Sequence, residues 1–174
     1  MNRERNEVIL VDELNNEIGH MDKLLAHQLG ELHRAFSIFI FNSKKEILLQ
    51  QRASSKYHGA NLWTNTCCSH PQVNEENIDA ANDRLKYEMG IETHLEEVFS
   101  FIYKANVEND LIEHELDFVF IGIYNGIPQP NTEEVRNWKW ITIEELERWM
   151  QDAPQEFTYW FKDIWHKVKN YIPS

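Results

Sequence analysis

Residues 74–90, NEENIDAANDRLKYEMG, carry the clearest helix signal in this 174-residue chain. Ile78, Ala81, Leu85 and Met89 recur at three- and four-residue intervals, which puts them on one face of a helix predicted over Glu75–Met89. Asn74 offers a capping side chain, and Glu75 and Glu76 suit the positive first turn. Gly90 can take the left-handed conformation that ends a helix.

Strand patterns lie on both sides. Upstream, residues 34–41 (RAFSIFIF) and 46–52 (EILLQQR) are apolar runs joined by NSKK, a hairpin pattern with both strands buried on most of their faces. Earlier still, EVILVDE (7–13) reads as a strand, Asn15-Asn16 as a turn, and residues 22–29 as a short helix. Residues 53–65 form a polar loop, the kind of segment that carries function. Downstream, strands are predicted over 95–104 and 116–124, separated by the acidic NVENDLIEHE. Pro128 and Pro130 mark a turn, Trp138–Thr142 reads as a strand, and Thr142 caps a helix over 143–150. Residues 157–171 form a last amphipathic helix. This order predicts an α+β fold, a mixed β-sheet sandwiched between helices, in a single domain over residues 1–174. It lacks the βαβα alternation and glycine-rich loops of dinucleotide and P-loop folds.

Composition narrows the function. At 42% hydrophobic and 12% aromatic the chain builds a real core, which excludes a disordered protein. A net charge of -12 argues against nucleic-acid or anionic-membrane partners, so an anionic ligand needs a local basic cluster or a metal. No apolar run approaches a membrane span, and the N-terminal MNRERNEVIL lacks a signal-peptide core. Cys67 and Cys68 are adjacent, an arrangement that strains a disulfide, and are expected as free thiols in a cytoplasmic protein.

Eight histidines are many for this length. His27, His33 and His70, with Glu113 and Glu115 two apart on one strand face, make a mixed N/O donor set suited to Zn, Mn or Mg. Local spacing leaves a second reading open, with separate histidines in surface or capping roles. Lys23, Arg52, Lys56 and Arg84 lie at element ends or beside the polar loop. They read as a diphosphate cluster or as ordinary solvated charges. Arg84 and Glu88, at i and i+4, read as a surface ion pair or as a phosphate cation beside a Mg²⁺ carboxylate. Trp160 reads as core or as an indole facing a pocket, where it could stabilise a cation.

Together, WTNTCCSHP (63–71), RLKYEMG (84–90), EHE (113–115), the His27-x₅-His33 pair before RAFS, and RASSK (52–56) resemble the motifs of type 1 isopentenyl-diphosphate Δ-isomerases, in the right order from about Val8 to Trp160. The resemblance implies a Nudix-like fold and isomerisation of isopentenyl to dimethylallyl diphosphate through a tertiary carbocation. It implies Cys68 and Glu115 as the acid/base pair, Tyr103 as hydrogen-bond partner of the carboxylate, and Trp160 as aromatic partner of the cation. It further implies one divalent metal (Mn, Mg or Zn) on His27, His33, His70, Glu113 and Glu115. A second Mg²⁺ would bridge Glu88, the Cys68 carbonyl and the substrate diphosphate. Lys23, Arg52, Lys56 and Arg84 would hold the phosphates of a small prenyl diphosphate, in a monomer or weak dimer.

The alternatives are a Nudix-type diphosphate hydrolase and a non-catalytic binding module. A hydrolase box ends R-E-U-x-E-E-x-G-U, with U aliphatic. Aligned on Gly90 and Ile91, this chain keeps only Glu88 of the four charged positions, with Asp83, Arg84 and Tyr87 at the others. The presence of every catalytic position argues against the binding module.

Overall fold

The computed structural model describes residues 5–174. Elements run β1 (Glu7–Val11), β2 (Glu17–Asp22), α1 (Lys23–Leu29), β3 (His33–Phe41), β4 (Ile47–Arg52), β5 (Trp63–Thr64), β6 (Cys67–Ser69), α2 (Asn77–Met89), β7 (Leu95–Asn106), β8 (Ile112–Ile123), β9 (Val135–Ile141), α3 (Ile143–Asp152) and α4 (Tyr159–Val168). The strands form one nine-stranded mixed sheet.

β3 is its axis. One edge pairs in parallel with β8 over its whole length, from His33↔Glu115 to Phe41↔Ile123. The other edge is shared by β1 at Leu10↔His33, β6 from Phe36↔Ser69 to Ile38↔Cys67, and β4 at Phe41↔Ile47. The predicted 34–52 hairpin is therefore joined only at its closing pair. β4 then leaves to pair with β5 and β9, and the gap is filled by β6. β2, β5 and β6 are absent from the sequence reading. β2 (EIGHMD) is a largely exposed edge strand without apolar alternation, and β5 and β6 are two and three residues long.

Side chains alternate across β3. Phe36, Ile38 and Ile40 pack with Ala80, Ala81, Leu85 and Met89 of α2. Phe39 and Phe41 pack with Leu146 of α3 and Phe161, Ile164 and Trp165 of α4. The sheet is thus covered on both faces, which is why β3 reads as a continuous apolar run.

Three local expectations are corrected. Asn74 does not cap α2. It sits in a turn at φ 65°, and Glu76 occupies the cap position without a side-chain hydrogen bond. Ile78 is exposed, because the buried face of α2 is Ala80, Ala81, Leu85, Glu88 and Met89. The last helix is shorter than 157–171, ending at Val168 before a 3₁₀ turn over Lys169–Tyr171. The capping box of Thr142 and Glu145 on α3 is present.

Gly90 ends α2 at φ 65°, and its N–H donates to the Lys86 carbonyl at 2.9 Å. A Cβ there would lie 2.7 Å from the Gln129 carbonyl oxygen. Gly90→Ala should therefore cost at least about 1–2 kcal/mol from the left-handed backbone alone. At about 2–4 °C per kcal/mol for a chain this size, a thermal melt should fall by about 2–8 °C. An unchanged melt would mean that the helix end leaves the left-handed conformation, and Gln129 moves aside, without cost.

Candidate active site

The parallel register of β3 and β8 builds the site. It places His33 opposite Glu115, while antiparallel β7 places Tyr103 against the other side of the same residue. Glu113, Glu115 and Asp117 share one face of β8 by the two-residue period. Each is buried.

His27 on α1 and His33 on β3 are buried and held alike. Nδ1 of His27 donates to the Lys23 carbonyl at 2.7 Å, and Nδ1 of His33 to the Glu31 carbonyl at 2.8 Å. A carbonyl only accepts, so Nδ1 carries a hydrogen in both rings and each turns Nε2 inward, the nitrogen that offers a lone pair once unprotonated. Neither Nε2 has a hydrogen-bond partner. His33 Nε2 lies 3.5 Å from Glu115 Oε1, and His27 Nε2 lies 3.4 Å from Glu113 Oε2 and 3.9 Å from Glu115 Oε1. His70, just beyond β6, brings Nε2 to 3.0 Å from Glu115 Oε1. One donor atom from each of His27, His33, His70 and Glu115 lies within 4.8 Å of all the others. Buried imidazole nitrogens left without hydrogen-bond partners, on rings oriented by carbonyls, are what a divalent cation requires. The cluster fits one. Glu113 adjoins it through His27, but its other oxygen is taken by His58 Nε2 at 2.6 Å.

Tyr103 Oη donates to Glu115 Oε2 at 2.8 Å. Burial, reinforced by the Glu115 charge, pushes the Tyr103 phenol well above its usual range, so it remains a donor. Burial alone would raise Glu115, but the close imidazoles of His33 and His70 outweigh it and hold the carboxyl well below its usual range. Burial lowers His70 to about 4 despite Glu115. Burial also acts to lower His27, yet the close carboxylates of Glu113 and then Glu115 raise it to about 9.

The metal-free chain at pH 7 therefore carries a proton on His27, which a cation must displace, whereas His70 is already neutral. Loading should release about one proton per metal, and apparent affinity should fall about tenfold per pH unit below pH 9. Calorimetry in buffers of different ionisation enthalpy measures this. Binding without proton release would place His27 outside the centre.

The two cysteines are free and face opposite ways from β6. Cys67 is fully buried in the α2-side core, whereas Cys68 lines the cavity that also receives Glu115, Tyr103 and Trp160. Cys68 Sγ donates to Asn65 Oδ1 at 3.1 Å. The Asn65 amide nitrogen is committed to the Ile38 and Cys67 carbonyls, at 3.1 and 3.0 Å, which fixes its oxygen toward the thiol. Ser37 Oγ stands 3.7 Å from the sulfur and donates to Asp117 Oδ2 at 2.7 Å. Burial, and after it the nearby Asp117, push the Cys68 thiol up to about 12.

Lys23, Arg52, Lys56 and Arg84 all line this cavity. The Lys23 ammonium is held below its usual range by burial and then by the charges of Lys56 and Arg84. That mutual repulsion marks a site for an anion. Lys56 pairs with Glu134, and Arg84 pairs with Glu88 and lies 3.5 Å from Glu134. Nε of both Arg52 and Arg84 is buried without a partner. Arg52 lies over the Trp160 ring at 5.2 Å. Gln50 Nε2 donates to Glu88 Oε2 at 3.1 Å.

All the residues singled out in the sequence thus meet in one region: His27 and His33 at its buried base, the others on its walls. Sequence reasoning places His58 in the polar loop and Asn65 in the WTNTCCSHP motif without giving either a role, and misses Asp117 and Glu134. The E-x-E-x-D alternation of β8 was a usable signal for Asp117. Glu134 sits in an irregular segment with no pattern, and reaches the cavity only by tertiary packing.

A nine-stranded mixed sheet between helices, with a glutamate-bearing helix at a cation-lined cavity, defines the Nudix class, and the NUDIX domain family matches residues 31–161. A protein from Deinococcus radiodurans of known crystal structure superposes with a TM-score of 0.70 at 19% identity, over 87% of this chain and 91% of that one, a likeness of fold alone. Isopentenyl-diphosphate Delta-isomerase of Serratia proteamaculans is 50% identical over 157 residues, covering 90% of this chain and 88% of that protein. Isopentenyl-diphosphate Delta-isomerase 2 of Aromatoleum aromaticum is 48% identical over 154 residues, covering 88% and 82%. The chain belongs to the isopentenyl-diphosphate Delta-isomerase family. Among the described residues no helix is long and apolar enough to cross a membrane.

Proposed function

We propose that residues 1–174 work as a single isomerase domain that converts isopentenyl diphosphate to dimethylallyl diphosphate, a soluble cytoplasmic step on a small prenyl diphosphate. One observation carries the site assignment: the Cys68 thiol, the Glu115 carboxylate and the Trp160 indole line the same cavity as four cations. Cys68 is protonated and Glu115 ionised at neutral pH, so the pair holds one transferable proton. Isomerisation needs one group to deliver a proton to an alkene carbon and another to remove one from the neighbouring methylene. The bond pair shifts and the proton count is unchanged. Protonating an unactivated alkene calls for a dry pocket, and the indole face stabilises the tertiary cation without attacking it.

His27, His33, His70 and Glu115, with Glu113 beside them, would hold the divalent metal (Mn, Mg or Zn), whose charge tunes and orients Glu115. Glu88 and the Cys68 carbonyl would hold a second Mg²⁺ that arrives with the substrate and would neutralise diphosphate charge. Lys23, Arg52, Lys56 and Arg84 hold the diphosphate, whose binding fixes the small apolar tail against the acid/base pair.

Incubation with isopentenyl diphosphate and Mg²⁺, following dimethylallyl diphosphate and free phosphate together, tests the reaction. Isomer without phosphate is the expected result. Phosphate without isomer would make the chain a hydrolase and move the chemistry to Glu88.

A further inference from the structure

His58 stands against the centre just described, outside the ligand set assigned to it. The ring is 7% exposed, in the loop between β4 and β5. Its Nε2 meets Glu113 Oε1 at 2.6 Å, whereas Nδ1 is buried with no partner. The side chain therefore directs its single hydrogen bond at Glu113. The ring is walled by Tyr57 at 4.6 Å, by His27 at 5.8 Å, and by Trp160 at 5.8 Å between centroids. The loop backbone is pinned as well. Arg52 Nη2 donates to the His58 carbonyl at 3.1 Å, Asn109 Nδ2 donates to the Tyr57 carbonyl at 2.7 Å, and the Gly59 N–H donates to Glu108.

The two oxygens of Glu113 thus have different fates. Oε1 is tied to His58, and Oε2 points toward His27 at 3.4 Å. Without His58, Oε1 would be a buried carboxylate oxygen lacking this partner, next to the like charge of Glu115, and the group could rotate to offer either oxygen or both. We propose that His58 is a positioning residue of the metal centre, fixing Glu113 so that only Oε2 is presented beside His27, His33, His70 and Glu115. The inference rests on reading that cluster as a divalent-cation site. It also ties the loop bearing Lys56 to the floor bearing Glu113.

The test is calorimetric titration of Mn²⁺ into the wild-type chain, His58→Phe and His58→Gln, without substrate. Phenylalanine keeps a packed ring and deletes the donor, and glutamine restores an N–H near the Nε2 position. The wild type is expected to bind one Mn²⁺ per chain. His58→Phe should bind about 10–100-fold more weakly, the usual effect of losing a ligand's outer partner, and His58→Gln should regain most of the loss. Circular dichroism of the metal-free variants confirms that they fold. If His58→Phe does not fold, His58→Asn against His58→Gln makes the same comparison, since the shorter amide falls short of Glu113. Equal affinity in His58→Phe and wild type overturns the proposal and leaves the centre intact. Equal weakening in His58→Phe and His58→Gln also overturns it, because the hydrogen bond is what is claimed. A wild type that binds no Mn²⁺ overturns both this inference and the metal reading beneath it.

Discussion

Cys68→Ala should lose at least about 10³-fold in turnover, within the range a positioned acid or base contributes, while keeping its fold and its affinity for the diphosphate. Cys67→Ala should keep most of the activity and instead lose stability, by about 1 kcal/mol for a small buried apolar group. The contrast follows from β6. Adjacent strand residues face opposite ways. Cys67 is packed against the α2-side core, whereas Cys68 reaches the cavity with its hydrogen directed at Asn65. Substrate affinity in Cys68→Ala should hold, because the thiol spends its hydrogen bond on Asn65 and is not itself one of the charged groups that hold the diphosphate. Steady-state turnover and thermal melts of the two variants check this together. If Cys67→Ala were the inactive variant, the thiol choice would be reversed.

The sequence made some of this legible and hid the rest for physical reasons. The α2 helix, its Gly90 terminator and the apolar β3 run follow from local periodicity, so their positions needed no tertiary knowledge. The β3–β4 hairpin was only half legible. Its NSKK turn forms, but the strands part after one pair because β8 and β6 compete for the edges of β3. Long-range pairing of this kind leaves no trace in a window of ten residues. The pairing of His33 with Glu115, 82 residues apart, is of the same kind. The candidate site residues were reached through motif resemblance, since local spacing left the histidines open to a surface role. His58 escaped because a histidine in a polar loop is unremarkable until the loop folds back and places it 2.6 Å from Glu113. Asn74 misled for a reason internal to asparagine, which suits helix caps and left-handed turns alike; here the turn won.

Glu115→Gln should be the most damaging single-atom change in the chain, because one carboxylate serves two functions through different oxygens. Oε1 faces His70 at 3.0 Å and His33 at 3.5 Å, on the side of the metal cluster. Oε2 accepts from Tyr103 at 2.8 Å. The amide removes the charge that balances the imidazoles and the basicity needed to accept a proton. Turnover should fall at least about 10³-fold, and metal affinity should fall with it, unlike in Cys68→Ala. Tyr103→Phe separates the two functions. It deletes one hydrogen bond to Oε2 and leaves the Oε1 side untouched, so metal content should persist while turnover falls by about tenfold, the scale of one hydrogen bond near 1.4 kcal/mol. Elemental analysis alongside turnover for both variants decides the matter. Full metal content in Glu115→Gln would mean that the three histidines and Glu113 suffice to hold the ion. Glu115 would then be left with the proton alone.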